Sequence, residues 1–303
     1  MSSNEKKIVR AEQNRDSARI KRITQSIIGL PTLPTVVSKM LEMIDNPRTS
    51  ATTLARLISS DQALTAKILK LANSAYYGFS REISTVNMAI VVLGFNTVKE
   101  MGLWLSVFDV FKDSSNSSDF DAVRFWEHSV ACGVASRMIS RMIQSRYVGE
   151  AFVAGLLHDI GKIILNQYFN REFLEILKNA HECTLEEAEA KVLSISHGRI
   201  GAWLTEKWNL PSIISETILH HHEPWAAGDN EVFVATVTLG DFLCHATSTG
   251  DSGRISPLQY DERFWDIFQK AGVAIDEPDI IRLRSDFLIE YDKSESFLSL
   301  IRG

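Results

Sequence analysis

The stretch Ala151–Leu165, AFVAGLLHDIGKIIL, sets His158 and Asp159 side by side within a strongly apolar helical run that continues through Gly161-Lys162. Two adjacent polar groups in such a run are costly to bury unless something partners them. A metal ion is a fitting partner, because neutral imidazole and carboxylate are ligands for Fe, Mn, Zn or Co. Adjacent side chains on one helix are splayed by about 100° and can reach a shared ion or two neighbouring ions. The other ligands must then come from other helices.

The distribution of histidine supports that reading. Seven of the eight histidines lie between His128 and His222, with His245 just beyond. In chain order the candidates are His128 in FWEHSVACGVA, His197 in SISHGRIGAWL, His221 and His222 in ILHHHEP, and Asp241 in TVTLGDFLCHA. Each lies on or at the end of an apolar helical pattern. His197 also suits the first turn of a helix, and His222 a helix end beside Pro224. His181 sits in a polar connector, while His220 and His245 are left outside the set.

The surrounding pattern is helical throughout. Val36, Val37, Met40, Leu41 and Ile44 recur three and four apart after Pro34, and Asn46-Pro47 ends the run. Leu54, Leu57 and Ile58 follow the cap residues Ser50 and Thr52. Leu64, Ile68, Leu71 and Ala72 follow Ser60-Asp61, and Tyr77-Gly78 stops that helix. Residues 85–93 and 98–111 read as two helices broken at Gly94-Phe95-Asn96, with Asn96 as a cap.

The stretch Lys112–Ala122, KDSSNSSDFDA, is poor in apolar residues and marks a subdomain boundary. Beyond it, helices are expected over 124–144, 149–168, 171–180, 184–193, 198–208, 211–222 and 232–246. The valine-rich EVFVATVTL is assigned as helix because nothing nearby could serve as a partner strand. Two further helices are expected over 264–271 and 279–287. The organisation is a lead-in over 1–22, an N-terminal helical subdomain over 23–115, a metal-binding subdomain over 116–250 and a helical extension over 251–303.

Composition excludes several classes. With 303 residues and 45% hydrophobic content the chain can bury a real core. A net charge of -6 gives no general attraction to nucleic acid, and Lys67, Lys70, Arg81 and Lys99 do not gather into a recognition face. Three widely spaced cysteines indicate neither a disulfide framework nor a thiolate zinc site. The N-terminus carries charges where a signal peptide needs an apolar stretch, and no apolar run is long enough to cross a bilayer. A cytoplasmic protein is expected.

His128, the His158-Asp159 doublet and Asp241 follow the H…HD…D order of the HD superfamily of metal-dependent phosphohydrolases, which this chain resembles. LPTLPTVVSKMLEMI (30–44), SSDQALTAKILKLANSAYYG (59–78), and Trp208-Asn209-Leu210-Pro211 followed by His221-His222-Glu223-Pro224 are similar to an HDOD domain over roughly Ile23 to Ala246. The resemblance implies an all-α, HD-domain-like helical bundle with an N-terminal helical subdomain. By similarity to HD-GYP phosphodiesterases it implies a centre of two divalent transition ions held by His128, His158, Asp159, His197, His221, His222 and Asp241, with Asp159 as the bridge. Lys162 would then neutralise phosphate oxygens in catalysis; as a sequence feature it also suits a solvated helix end.

The chain continues PWAAGDN (224–230) where an HD-GYP enzyme carries Gly-Tyr-Pro, which argues against cyclic-di-GMP hydrolysis. Two functions follow from the resemblance. One is a signal-transduction output protein of regulatory or scaffold type, working with a signalling protein partner. The other is a metal-dependent phosphohydrolase acting on a nucleotide or related phosphoester.

Overall fold

The computed structural model describes residues 29, 32–43, 50–79, 81–112, 120–253, 262–273, 275 and 279–302. The 1–22 lead-in, the Asn46-Pro47 stop and residues 113–119 of the expected boundary lie outside the described residues. The described elements are helical, as expected: α1 (Thr35–Glu42), α2 (Ala51–Ser59), α3 (Gln62–Ala72), α4 (Val86–Leu93) and α5 (Phe95–Phe111) precede the boundary. They are followed by α6 (Ala122–Met142), α7 (Val148–Leu157), α8 (Ile160–Tyr168), α9 (Asn170–Asn179), α10 (Leu185–Leu193), α11 (His197–Lys207), α12 (Ser212–His220) and α13 (Glu231–Ala246). The C-terminal helices are α14 (Glu262–Lys270), α15 (Ile280–Asp292) and α16 (Glu295–Arg302).

Side-chain caps set several of the starts. Ser50, Asp61 and Thr85 each accept a hydrogen bond from the backbone N–H three residues on. Asp121 accepts from Val123 and Arg124 at the head of α6, and Thr184 and Glu187 form a reciprocal capping box on α10. The valine-rich segment is helical within α13.

Three expectations need correction. The break between α4 and α5 is made by Gly94 alone, at φ 93°; α5 begins at Phe95, so Asn96 lies inside the first turn and caps nothing. The run 149–168 is two helices, not one: α7 ends at Leu157, and Asp159 leaves helical geometry at φ -102°, ψ 9° before α8 starts. Finally α16, short and strongly amphipathic, was not anticipated after α15.

Helix α6 is the axis of the molecule and packs most extensively against α7 and α13. Its sequence explains this position, since Ala131, Cys132, Gly133, Ala135 and Ser136 are small enough to let neighbours approach closely. On α7 and α13, Gly155 and Gly240 meet the Cys132–Ser136 stretch of α6. The N-terminal helices join this core through α5 against α7. Phe297 of α16 links them again, its ring 5.1 Å from Trp104, 5.3 Å from Tyr76 and 5.8 Å from Phe152.

The approach of α8 to α11 governs where the site forms. A Cβ on Gly161 would run into the carbonyl oxygen of His197, so only glycine permits this crossing. Gly161→Ala is expected to lower stability by about 1–3 kcal/mol, because the obstruction is backbone rather than a movable side chain. Urea unfolding measures it, and an unchanged midpoint would mean that the crossing opens freely.

Candidate metal centre

Five helical segments bring their polar residues to one buried point. His128 comes from the middle of α6, His158 and Asp159 from the α7–α8 break, His197 from the first position of α11, His221 and His222 from the end of α12, and Asp241 from α13. All seven metal-ligand candidates named from the sequence are brought together, and Lys162 is with them. The break at Asp159 replaces the splayed helical neighbours that the sequence suggested: it turns the carboxylate inward beside the His158 ring.

The two oxygens of Asp159 face different partners. Oδ2 lies 3.2 Å from His158 Nε2, 4.0 Å from His128 Nε2 and 2.7 Å from Lys162 Nζ. Oδ1 lies 3.2 Å from His197 Nε2 and 3.5 Å from His221 Nε2. Asp241 Oδ1 closes the first group at 3.0 Å from His128 Nε2 and 3.5 Å from His158 Nε2, and His222 Nε2 joins the second at 3.1 Å from His197 Nε2.

Outer contacts fix the rings. His158 Nδ1 donates to the Gly155 carbonyl at 2.7 Å and His221 Nδ1 to the Ile218 carbonyl at 2.8 Å. His197 Nδ1 donates to Glu189 Oε1 at 2.7 Å, while its backbone N–H donates to Glu189 Oε2. A carbonyl or carboxylate can only accept, so each of these rings, when neutral, keeps its proton on Nδ1 and turns its Nε2 lone pair inward, as a metal ligand requires.

That arrangement fits a metal. His128 Nε2, His158 Nε2, Asp159 Oδ1 and Asp241 Oδ1 are fully buried and make no well-formed hydrogen bond, although His128, His158 and Asp241 lie close to one another and Asp159 Oδ1 close to His197 and His221. Donor atoms that converge on a point without pairing are what a cation would satisfy. Asp159 Oδ1 and the three imidazoles of His197, His221 and His222 can form one ligand set, and His128, His158 and Asp159 another.

The electrostatics agree. Burial alone would push the Asp159 carboxyl up, but His158 and Lys162 beside it hold it well below the usual carboxylate range. Asp241 is likewise held low against its burial by His245 and His128. Burial works against protonation of His197, yet the Glu189 carboxylate overcomes it and lifts the ring to about 9. His221 is pushed down to about 4 by burial.

Lys162 is 1% exposed, so it is not a solvated helix end. Its ammonium donates to Asp159 and reaches Ser252 Oγ at 3.4 Å. Sequence reasoning missed Glu186 and Glu189 and left out His245. Glu189 is buried behind His197; Glu186 Oε1 lies 3.0 Å from His222 Nε2; and His245 Nε2 lies 3.3 Å from Asp241 Oδ1. Glu189 had a signal, since it stands one turn from Leu185 on the apolar stripe with Ala188 and Val192; so had His245, one turn beyond Asp241 on the same face. Trp225 lines a cleft of about 430 Å³ with His222, Glu186 and Glu223, and no described helix is long and apolar enough to cross a membrane.

With this geometry in place, comparison with known proteins is informative. The HDOD domain profile matches residues 30–224. An uncharacterized protein of Treponema pallidum (strain Nichols) is 23% identical over 223 residues, covering 72% of this chain and 43% of its own length. The chain thus spans less than half the length of that curated relative.

Among solved structures, an HDOD domain protein of unknown function from Geobacter sulfurreducens is 26% identical over 93% of this chain and 98% of its own, with a TM-score of 0.79. A candidate signal transduction protein from Marinobacter aquaeolei VT8 is 20% identical, covering 95% of this chain and 66% of its own, at a TM-score of 0.77. A candidate phosphohydrolase from Shewanella amazonensis SB2B is 20% identical, covering 92% and 97%, at a TM-score of 0.72. The last two share the fold.

Proposed function

The chain belongs to the HDOD domain family, and from that premise we propose that it is a signal-transduction output protein, regulatory or scaffolding in role, organised around a two-metal HD centre. The observation that carries this reading is the division of Asp159, whose two oxygens face two separate sets of imidazole Nε2 atoms. His128, His158, Asp159 and Asp241 would hold one divalent transition ion. Asp159, His197, His221 and His222 would hold the second, with Asp159 shared between the two sets. Nitrogen and oxygen donors of this kind suit Fe, Mn, Zn or Co.

Burial favours the regulatory role. Side chains of His128, His158, Asp159, His197, His221 and Asp241 are at most 4% exposed, which leaves little of the centre open to a substrate. Lys162 balances the bridging carboxylate from within and does not line the cleft at His222. A signalling protein partner in the cytoplasm receives the output, in line with the signalling role given to the Marinobacter structure.

A second reading is a metal-dependent phosphohydrolase, favoured by the cleft at His222 and Trp225, which has room for a nucleotide or related phosphoester. A metal pair supplies Lewis-acid polarisation of a phosphoryl oxygen and an activated water. Within this chain, His222 and Trp225 would position the ligand and Glu186 would hold His222.

Elemental analysis of the purified full chain tests the premise common to both, with two ions per chain expected; none would sink it. Turnover of a phosphoester by the loaded protein, lost in His158→Ala, would replace the regulatory reading with the enzymatic one. Glu189→Gln is expected to weaken metal binding about 10–100-fold by releasing the His197 ring. Competition with a chelator measures this, and unchanged affinity would detach Glu189 from the centre.

A further inference from the structure

On the face of α6 turned away from the His/Asp cluster, α6 and α15 enclose a cavity of about 300 Å³ that has no part in the proposed centre. Its innermost polar group is Arg137, which follows His128 by about two and a half turns of α6 and so emerges on the opposite side. Arg137 is 8% exposed, and its Nε and Nη1 atoms are buried with no hydrogen-bond partner.

The rings of Tyr76, Tyr77 and Phe152 lie 5.6, 5.8 and 5.7 Å from the guanidinium carbon. They attract its charge without providing acceptors for those two N–H groups. The Tyr76 and Tyr77 hydroxyls and the Glu100 carboxylate already act on this guanidinium, and an anion in the cavity would add a further acceptor for its charge. Arg141, one turn further along α6, adds a second positive charge to the same cavity.

The opposite wall is of contrary sign. Asp286 and Glu290 of α15 line the cavity, Asp286 exposed and Glu290 paired with Lys293. Val134 and Met138 of α6 and Ile289 of α15 also line the cavity, Ile289 60% exposed despite its size. The cavity therefore takes its cations from α6, its anions from α15 and apolar surface from both.

We propose that this cavity binds a small zwitterion on an apolar frame, of the amino-acid class: its carboxylate meets Arg137, its ammonium meets Asp286, and its hydrocarbon lies against Val134, Met138 and Ile289. A phosphate would set its double charge against the two carboxylates of α15, and a plain alkyl carboxylate would leave those carboxylates unmatched. Because the cavity is walled by α6, which carries His128, and by α15, an occupant ties the C-terminal helix to the helix that bears the centre.

Calorimetric titration of the full chain with L-leucine, 6-aminohexanoate, hexanoate and inorganic phosphate tests the assignment. At least one of the two zwitterions is expected to bind, about tenfold or more tightly than hexanoate or phosphate. Asp286→Asn, at an exposed position that folding does not depend on, is expected to weaken that binding about tenfold while leaving metal content unchanged, and Arg137→Lys to weaken it at least as much. Failure of both zwitterions to bind, equal binding of hexanoate or phosphate, or indifference to Asp286→Asn would each overturn the proposal.

Discussion

Replacing Asp159 with alanine is expected to strip both ions from the protein, whereas replacing His222 removes at most one. The difference follows from position: Asp159 offers one oxygen to each imidazole set, while His222 belongs to the outer set only. The substitution also leaves Lys162 buried without its carboxylate, and breaking one side of a buried pair costs about 3–5 kcal/mol. Metal per chain should fall to near zero and the unfolding midpoint should drop with it. Asp159→Asn, similar in size but uncharged, separates packing from charge: it should keep the fold better than alanine and still lose the ions. An Asp159→Ala protein that retains one tightly bound ion would show that the carboxylate does not bridge.

The all-α fold was legible because most helices announce themselves in the spacing of their apolar residues, and several also in a cap at their start. Ser50, Asp61 and Thr184 act as caps where they stand in the sequence. The centre was legible for a related reason. His128, His158, Asp159 and Asp241 interrupt apolar helices, and polar groups in such places need partners that only a tertiary site can provide.

What escaped the sequence depends on small backbone changes or on long-range pairing. The break at His158-Asp159 involves no glycine or proline, and a shift of Asp159 alone out of helical geometry ends α7, so no local signal marks it. The Asn96 cap failed because Gly94, with its positive φ, already makes the turn and α5 starts one residue later. Lys162 near a helix start looks solvated until α8 is packed on α11 and the Ser252 segment reaches it. Glu186 reads as an ordinary exposed acid, and although Glu189 stands on the apolar stripe of α10, nothing local says that His197 and His222 lie beside that helix.

The seam between the N-terminal helices and the core carries a second large effect. Glu100 of α5 is 6% exposed and lies against Gly149, where its carboxylate leaves no room for a Cβ. Burial pushes its carboxyl up to about 7; Arg137 and Lys99 pull it down, and Glu150 adds to the rise. Below its unfolded value near 4.5 the group is protonated in both states and folding carries no penalty. As pH climbs, the unfolded chain loses this proton first, and stability is lost until the folded group ionises at about 7 as well. Glu100→Gln removes the titration. Its stability should match the wild type at pH 5 to within a small margin and exceed it at pH 8 by up to about 3 kcal/mol. Urea unfolding of both proteins at the two pH values measures the gap, and a gap that does not widen with pH would mean that Glu100 ionises freely in the folded protein. Comparing the two proteins at each pH also cancels the proton dependence of the histidine cluster, which Glu100→Gln leaves untouched. A widening gap would therefore locate the loss in the seam where α5 meets α7, the contact through which the N-terminal helices and the helix leading into His158 are joined.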